Sequence, residues 1–235
     1  MRLHYLQHVP FEDLAAMRRW AIGKGFTITN TLLYEEQPLP DALEIDWLVI
    51  LGGPMNIYEE SSHPWLVREK TFIARCIEKR RVLVGSCLGG QLIADALGGA
   101  VRRNEHKEIG WFPVTLTEQG AKSPVFAGFP REFPAFHWHG DTFAVPPGAT
   151  HAACSAGCEH QAFVYEGRVL GLQFHFEYER ASIEDMLVHC EDELDGGPYC
   201  QSPAEMRAGM AHVETTHAHL FRMLDNLHAA TSGAV

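Results

Sequence analysis

Apolar and polar positions along the first hundred residues follow a pattern that predicts strands alternating with helices. Apolar runs with the length and composition of strands occur at Arg2–Gln7, Phe26–Leu33, Trp47–Leu51 and Val82–Val84. Helical spacing of apolar residues predicts intervening helices at Phe11–Gly23, Pro64–Lys79 and Leu92–Leu97. This alternation favours an α/β fold with a doubly wound, mostly parallel sheet and helices on both faces.

The pattern changes after Gly98 and Gly99, where the apolar segments shorten and Pro, Gly, Asn and Asp turns separate them. The predicted short strands are Ala100–Arg103, Gly110–Leu116, Phe133–Trp138, Ala149–Cys154, Gln161–Tyr165 and Val169–Phe174. Short strands joined by such turns predict a small antiparallel extension of the same sheet and not a second domain.

A break at Gly196-Gly197-Pro198 separates the last part of the chain. Ser202 and Pro203 form a helix start, and apolar residues then keep helical spacing through Leu227. We therefore predict one domain over residues 1–195 and a C-terminal helical extension over 196–235 that packs on it. The methionines of this extension indicate a core stripe, and a partner surface is the alternative.

Composition narrows the class of protein. The 235 residues are 46% hydrophobic, which is enough for a full core, and no apolar run reaches membrane-spanning length. With no signal peptide and only six scattered cysteines, a reducing cytoplasm is the expected location. The net charge of −11 argues against nucleic acid or a membrane surface as a partner, because both attract basic proteins.

Cys87 lies at the centre of a G-x-C-x-G pattern between a predicted strand and a predicted helix. This is the nucleophile-elbow pattern with sulfur in place of the usual hydroxyl. A helix N-terminus favours a thiolate at such a position. A small buried cysteine in a tight turn is the alternative interpretation.

A glycine pair, Gly52 and Gly53, follows the strand that ends at Leu51. Ligands of parallel sheets bind beyond the carboxyl ends of the strands, and bare glycine backbone can offer N–H groups to them. An ordinary tight turn is equally compatible with the pair.

A working cysteine needs a base, since a thiol with an ordinary pKa of about 8.5 is mostly protonated at neutral pH. His175 and Glu177 stand two residues apart on a segment read as a strand that leads into a loop, so both side chains point to the same side. Together with Cys87 they predict a nucleophile–base–orienter triad. An exposed histidine and glutamate at a strand end would be the interpretation without Cys87.

Four blocks of sequence together resemble a known family. They are Gly52-Gly53-Pro54, Cys87-Leu88-Gly89-Gly90-Gln91, His139-Gly140-Asp141 and Gln173-Phe174-His175-Phe176-Glu177. In this order they are similar to class I (triad) glutamine amidotransferases, above all to the amidotransferase half of GMP synthase and its stand-alone relatives. The resemblance spans roughly Ile45 to Glu177 and implies a flavodoxin-like fold.

The resemblance implies a role for each catalytic residue. Cys87, as thiolate, would attack the side-chain amide of glutamine, and His175 would protonate the departing ammonia and then activate water. Glu177 would orient His175. Backbone N–H groups of Gly53 and Leu88 would form the oxyanion hole.

The resemblance also implies substrate-binding residues. Gln91 matches the residue that contacts the amino-acid end of the substrate, and Gly140 and Asp141 match a second substrate loop. A turn or cap role is equally plausible for Asp141. No cofactor is implied by the resemblance.

Two features depart from the family or compete with it. The family usually has proline between the histidine and the glutamate, and Phe176 in its place is expected to loosen that geometry. A zinc site made by Cys154, Cys158, His151 and His160 is rejected, because their spacing lacks a paired C-x-x-C.

The leading function is therefore cysteine-dependent hydrolysis of a γ-glutamyl amide bond through a thioester, with release of ammonia. Gly120–Ser123 lacks the spacing of a phosphate-binding loop, so the sequence does not predict the ATP site of a complete synthetase. A glutaminase subunit would deliver its ammonia to a separate synthetase. One alternative is a stand-alone γ-glutamyl peptidase or hydrolase that acts on glutathione-like compounds. The other is a non-catalytic binding module with the same fold.

Overall fold

The computed structural model describes residues 1–231. Within them, nine strands form one sheet in the order β2-β1-β3-β4-β9-β8-β7-β5-β6. The strands are β1 (Arg2–Gln7), β2 (Thr27–Leu32), β3 (Trp47–Ile50), β4 (Val82–Ser86), β5 (Val101–Leu116), β6 (Glu132–Phe143), β7 (Thr150–Cys154), β8 (Ala162–Tyr165) and β9 (Val169–Leu172).

Helices cover both faces of this sheet. They are α1 (Ala15–Gly23), α2 (Trp65–Glu78), α3 (Leu88–Ala96), α4 (Glu118–Lys122), α5 (Arg180–His189), α6 (Pro203–Ala208) and α7 (Val213–Thr231). Short 3-10 turns connect some of them, including one at Gly209–His212 between α6 and α7. None of the helices in the described part of the chain is both long and apolar enough to cross a bilayer.

Five strands, β2, β1, β3, β4 and β9, run parallel to one another. The central strands β3 and β4 are buried along their whole length, as expected for strands that are covered on both faces. Because the strands are parallel, their carboxyl ends meet at one edge of the sheet, where Gly52 follows β3 and Cys87 follows β4. The predicted α/β fold class is confirmed.

The other four strands are antiparallel, and β5 and β6 form a long ribbon. Two strands predicted at 100–103 and 110–116 are in fact one strand, β5, of 16 residues. The separation was wrong because the polar residues 104–107 do not interrupt the strand. They form a bulge opposite Gly140, since Arg103 pairs with Asp141 and Glu108 pairs with His139.

The core lies on both faces of the sheet. One cluster joins α1 and α7 to the sheet, with Trp20, Trp47 and Leu224 among its buried members. A second joins α2 and α3 to the other face, through residues such as Phe72 and Leu92. A third fills the space between the antiparallel ribbon and the helices α5 and α6. Helix α7 therefore buries its apolar stripe against the body of the protein.

Several predicted boundaries need correction. The first helix begins at Ala15 and not at Phe11, because the Asp13 side chain accepts a hydrogen bond from the Ala15 N–H in a turn. The predicted C-terminal helix is divided at Gly209, where the chain approaches the Trp111 ring so closely that a Cβ would collide with it. Helix α5 had no counterpart in the prediction.

The segment after β9 also differs from the prediction. The strand ends at Leu172, so His175 and Glu177 lie in the loop that follows and not on the strand. One bridge to Phe136 of β6 holds this loop, with the His175 N–H donating to the Phe136 carbonyl at 2.8 Å. The two side chains therefore meet through loop geometry and not through strand alternation.

Candidate active site

Cys87 occupies a sharp bend between β4 and α3. Its backbone has φ of 51° and ψ of −110°, a left-handed conformation that is unusual for a residue with a Cβ. The bend needs glycine on both sides, since a Cβ on Gly85 would collide with the Gly89 backbone, and one on Gly89 with the Ile50 carbonyl. The bend therefore has the geometry of a nucleophile elbow at a helix N-terminus.

The Cys87 thiol is almost fully buried, and its S–H is directed at the Trp138 carbonyl at 3.5 Å. Burial raises the pKa of the thiol. The hydrogen bond and charge of His175 and the Leu88 N–H act in the opposite direction without cancelling that effect. His175 therefore favours ionisation of a thiol whose burial opposes it.

His175 and Glu177 form a buried pair in the loop after β9. The His175 Nδ1 lies 2.7 Å from Glu177 Oε1, and the other carboxylate oxygen has no hydrogen-bond partner within residues 1–231. Burial lowers the pKa of His175, but the Glu177 charge and the hydrogen bonds to Cys87 and Glu177 outweigh it, so the pKa lies well above its ordinary value. The arrangement favours an imidazolium close to the sulfur.

Phe176 lies between these two residues, and its side chain is fully buried. Its ring packs on Phe174 and Phe133, with centroid separations of 4.8 and 5.5 Å. A packed aromatic ring thus anchors the turn in which the family usually has proline. The expected loosening does not occur, because His175 and Glu177 remain in hydrogen-bonding contact.

A cleft opens beside Cys87 and gathers most of the residues named from the sequence. Its lining includes Gly53, Cys87, Leu88, Gln91, Gly140, Asp141 and His175. Glu177 lies behind His175 and does not line the cleft. Residues from separate parts of the chain therefore meet at one edge of the sheet.

The polar side chains at the cleft already have protein partners. The Gln91 amide donates to Gln173 Oε1 at 3.2 Å, and one Asp141 oxygen accepts from the Tyr58 hydroxyl at 2.9 Å. The Asp141 contact ties the loop after β3 to β6. At the rim, the side chain of Arg103 forms no ion pair or hydrogen bond with any residue that the structure describes.

Three residues at the site were not predicted. Tyr178 stacks on His175 with a ring-centroid separation of 4.1 Å and donates its hydroxyl to the buried Glu12 carboxylate at 2.7 Å. Burial raises the pKa of Glu12, and the charge of His175 offsets only part of that effect. Trp138 contributes the carbonyl that faces the thiol. Tyr178 could have been suspected because it follows Glu177, but nothing in the sequence marks Glu12.

The described residues contain a group of three buried side chains whose ligand atoms are close enough for a metal ion, namely Glu108, His137 and His139. Their polar atoms already have protein partners, and His137 Nε2 lies 3.3 Å from the Phe112 carbonyl. Glu108 accepts from His139 Nε2 at 3.0 Å, from Gln161 at 2.5 Å and from Ser155 at 2.6 Å. The Glu108 carboxylate is thus satisfied without an ion, and the group is best described as a buried hydrogen-bond network.

The residues of the rejected zinc site are engaged in local hydrogen bonds. The Cys158 sulfur contacts the Thr142 hydroxyl at 3.1 Å, and His151 Nε2 lies 3.0 Å from the Ala153 carbonyl. His160 Nδ1 lies 2.9 Å from the Phe143 carbonyl. These contacts are those of a structural loop.

Comparison with known proteins identifies the family. The model of the class I glutamine amidotransferase family matches residues 24–188. Since this match covers well over half of the chain, the protein belongs to the class I glutamine amidotransferase family.

Individual relatives refine that result. The chain is 37% identical to YfeJ of Salmonella typhimurium, a putative glutamine amidotransferase-like protein, over 99% of both chains. It is 34% identical to the GMP synthase of Thermomicrobium roseum over 55% of this chain, which is only 23% of that enzyme. A crystal structure of a glutamine amidotransferase from Thermotoga maritima superposes over 97% of both chains with a TM-score of 0.87 and 30% identity. The similarity to GMP synthase is therefore confined to one part of that larger protein.

Proposed function

We propose that this amidotransferase-family protein hydrolyses a γ-glutamyl amide, with glutamine as the first candidate, through a γ-glutamyl thioester on Cys87. The thiolate sulfur attacks the amide carbon, and the carbonyl electron pair moves to oxygen. Backbone N–H groups of Gly53 and Leu88 donate to that oxyanion, each from one of the loops that meet at the sulfur. Collapse of the tetrahedral intermediate breaks the carbon–nitrogen bond.

His175 moves the protons in both halves of the reaction. It takes the proton of the Cys87 thiol and gives it to the leaving nitrogen, so that ammonia departs. It then removes a proton from a water molecule, which attacks the thioester and releases glutamate and the Cys87 thiol. Glu177 accepts from His175 Nδ1 and leaves Nε2 as the nitrogen available to the sulfur and to water.

The observation that carries the proposal is this one buried arrangement of three groups. A histidine whose Nδ1 is held by a carboxylate at 2.7 Å also acts on the pKa of a cysteine at a strained bend, and both residues line the same cleft. Burial without such a partner would leave an inert thiol. The proposed substrate contacts, Gln91, Gly140 and Asp141, border the same cleft.

The experiment is a hydrolysis assay with purified protein that measures ammonia and glutamate from glutamine. We expect turnover in the parent, none in Cys87→Ala, and a glutamyl adduct on the Cys87 peptide after acid quench and mass spectrometry. The matched control is Cys158→Ala, a second buried cysteine outside the cleft, which should keep the parent rate. Turnover in Cys87→Ala equal to the parent would reject the mechanism, and a failure of Cys87 to react with a glutamine-like diazoketone would favour a binding module.

A second candidate activity is hydrolysis of γ-glutamyl peptides of the glutathione type. The observation that favours it is the unpaired Arg103 at the cleft rim, which could bind the distal carboxylate of such a peptide. The assay should therefore compare glutamine with a γ-glutamyl dipeptide. A preference for the dipeptide that disappears in Arg103→Gln, but not in the exposed neighbour variant Arg102→Gln, would select this activity.

An ammonia-accepting synthetase remains the proposed partner of the glutaminase form. The glutamine-hydrolysing GMP synthases to which this chain is similar support that idea. Glutamine turnover that increases when a synthetase is added would support it, and a turnover that does not change would favour independent action. All six cysteines are free in the structure, which is compatible with the proposed cytoplasmic location.

A further inference from the structure

A second buried histidine–glutamate pair lies behind the Gly52–Gly53 loop. His8 follows β1, Glu69 lies in α2, and their side chains are completely inaccessible. The His8 Nε2 is 2.9 Å from Glu69 Oε1. No step of the proposed mechanism uses either residue.

The second ring nitrogen of His8 holds the backbone of the loop. Its Nδ1 lies 2.8 Å from the Gly52 carbonyl oxygen. A carbonyl and a carboxylate can only accept hydrogen bonds, so both ring nitrogens carry a proton. Burial lowers the pKa of His8, but the Glu69 charge and hydrogen bonds outweigh it and leave the pKa raised. His8 is therefore a buried imidazolium that donates one hydrogen bond to Glu69 and one to the Gly52 carbonyl.

This hydrogen bond also orients the neighbouring N–H group. The Gly52–Gly53 peptide is trans, so the Gly53 N–H points away from the side to which the Gly52 carbonyl points. That N–H makes no hydrogen bond to any of residues 1–231. Gly53 lines the cleft together with Cys87 and Leu88. With its carbonyl held by His8, the peptide directs a free donor toward the cleft.

The packing around the loop leaves little room for another arrangement. A Cβ on Gly52 would collide with the Glu12 carboxylate and lie 3.0 Å from the His175 ring. A Cβ on Gly53 would lie 3.0 Å from His8 and 3.1 Å from Leu88. The two glycines are thus fitted between His8 on one side and the catalytic groups on the other.

We propose that His8, fixed by Glu69, is a positioning residue that holds the Gly52–Gly53 peptide with the Gly53 N–H directed at the oxyanion. The oxyanion hole is then formed before substrate binds and without a partner protein. This inference rests on the proposed thioester mechanism. It adds that the orientation of the loop depends on one hydrogen bond from His8 Nδ1.

The test compares two substitutions at the same position. His8→Phe keeps the ring and removes the donor, whereas His8→Asn places an amide N–H where Nδ1 stood and can still reach Gly52. We expect His8→Phe to lower kcat for glutamine about 100-fold, with KM within about threefold, since loss of one oxyanion donor acts on the transition state. We expect His8→Asn to keep kcat within about tenfold of the parent although it leaves Glu69 without its charged partner.

Two further readouts separate positioning from general damage. Glutamate γ-semialdehyde forms a tetrahedral hemithioacetal with Cys87, so its inhibition constant should rise in His8→Phe by the same factor as kcat falls. Alkylation of Cys87 by iodoacetamide passes through no oxyanion, so its rate should change less than about twofold. His4→Phe is the control, because His4 is a buried histidine within β1 that is hydrogen-bonded to Thr29 and Thr31 and does not line the cleft.

The outcomes distinguish this inference from the proposed function. Parent-like kcat in folded His8→Phe overturns the positioning role, and so does an equal loss of turnover and alkylation. Losses in His8→Asn as large as those in His8→Phe overturn it too. If Cys87→Ala keeps the activity, the mechanism itself fails. If Cys87→Ala is inactive while His8→Phe is unaffected, only the role of His8 fails.

Discussion

Two of the buried histidine–glutamate pairs at the cleft differ in how well they are satisfied. His175 and Glu177 are 2.7 Å apart, and His139 and Glu108 are 3.0 Å apart. Glu177 has one oxygen without a partner among the described residues, whereas Glu108 also accepts from Ser155 and Gln161. One oxygen of Glu177 is thus left without a partner in the described part of the chain, whereas both oxygens of Glu108 have one.

The surroundings explain what each pair can do. Burial raises the pKa of Glu108, but hydrogen bonds from His139 and Ser155 and the nearby histidine charges outweigh it, which lowers the pKa to about 2. A carboxylate held so firmly stabilises the β5–β6 ribbon and has no proton to exchange near neutral pH. In the other pair, His175 instead lines the cleft together with Cys87 and lowers the pKa of its thiol, against the effect of burial. The same two residue types thus serve structure in one place and, in the proposed mechanism, proton transfer in the other.

The largest expected effect is the loss of His175. His175→Ala should reduce kcat/KM for glutamine by about 10³-fold or more, because the base and the general acid are both removed. Urea unfolding should remain cooperative. The apparent pKa of Cys87, measured by the pH dependence of iodoacetamide alkylation, should rise, since the groups that oppose the effect of burial are gone. An unchanged alkylation profile would show that His175 does not act on the sulfur.

Matched glutamate substitutions test the comparison directly. Glu177→Gln should lower kcat by about 100-fold, because the amide orients the ring less well, and should also lower the free energy of unfolding, since His175 loses the charge that raises its pKa. Glu108→Gln should lower stability without that loss of activity. It should lower the free energy of unfolding by about 3 kcal/mol, since a buried carboxylate with a pKa of about 2 is lost from its hydrogen bonds, and leave turnover per folded molecule within about threefold.

Steady-state kinetics and urea denaturation on the same preparations provide both measurements. The comparison would break if the two variants lost activity and stability in the same proportion. It would also break if Glu108→Gln lost activity and kept its stability, because the network would then belong to the reaction.

Much of the fold and of the candidate active site could be predicted from the sequence, because local residue patterns determine them. The short apolar strands and the glycines around Cys87 determine local geometry, so the sequence alone predicts the nucleophile elbow at Cys87. His175 and Glu177 were identified correctly as neighbours by an argument about strands, although they lie in a loop.

The rest depends on contacts between distant parts of the chain. His8 and Glu69 are 61 positions apart, and Tyr178 and Glu12 are 166 apart. No local pattern encodes such pairs, because each residue alone resembles any buried polar side chain. His8 carries the one usable signal, since it follows a parallel strand at the edge where ligands bind. The bulge at 104–107 was missed for the opposite reason, as polar residues within a strand imitate a loop.

The smallest expected effect concerns the pH dependence of stability beside the Glu108 network. Burial lowers the pKa of His137 to about 4, and the His139 charge adds to this, although Glu108 opposes it. The unfolded chain binds a proton at this residue near pH 6.5 and the folded chain does not, so the free energy of unfolding falls as pH decreases from about 6.5 to about 4. The contribution is at most about 3 kcal/mol, and His4, with a pKa also lowered to about 4, adds one of the same sign. His137→Gln should therefore remove about half of the combined slope in urea unfolding between these pH values. A slope identical to the parent would mean that His137 is already protonated in the folded protein. Glu108 would then balance the charge of His137 as well, and the network would resemble the His175–Glu177 pair.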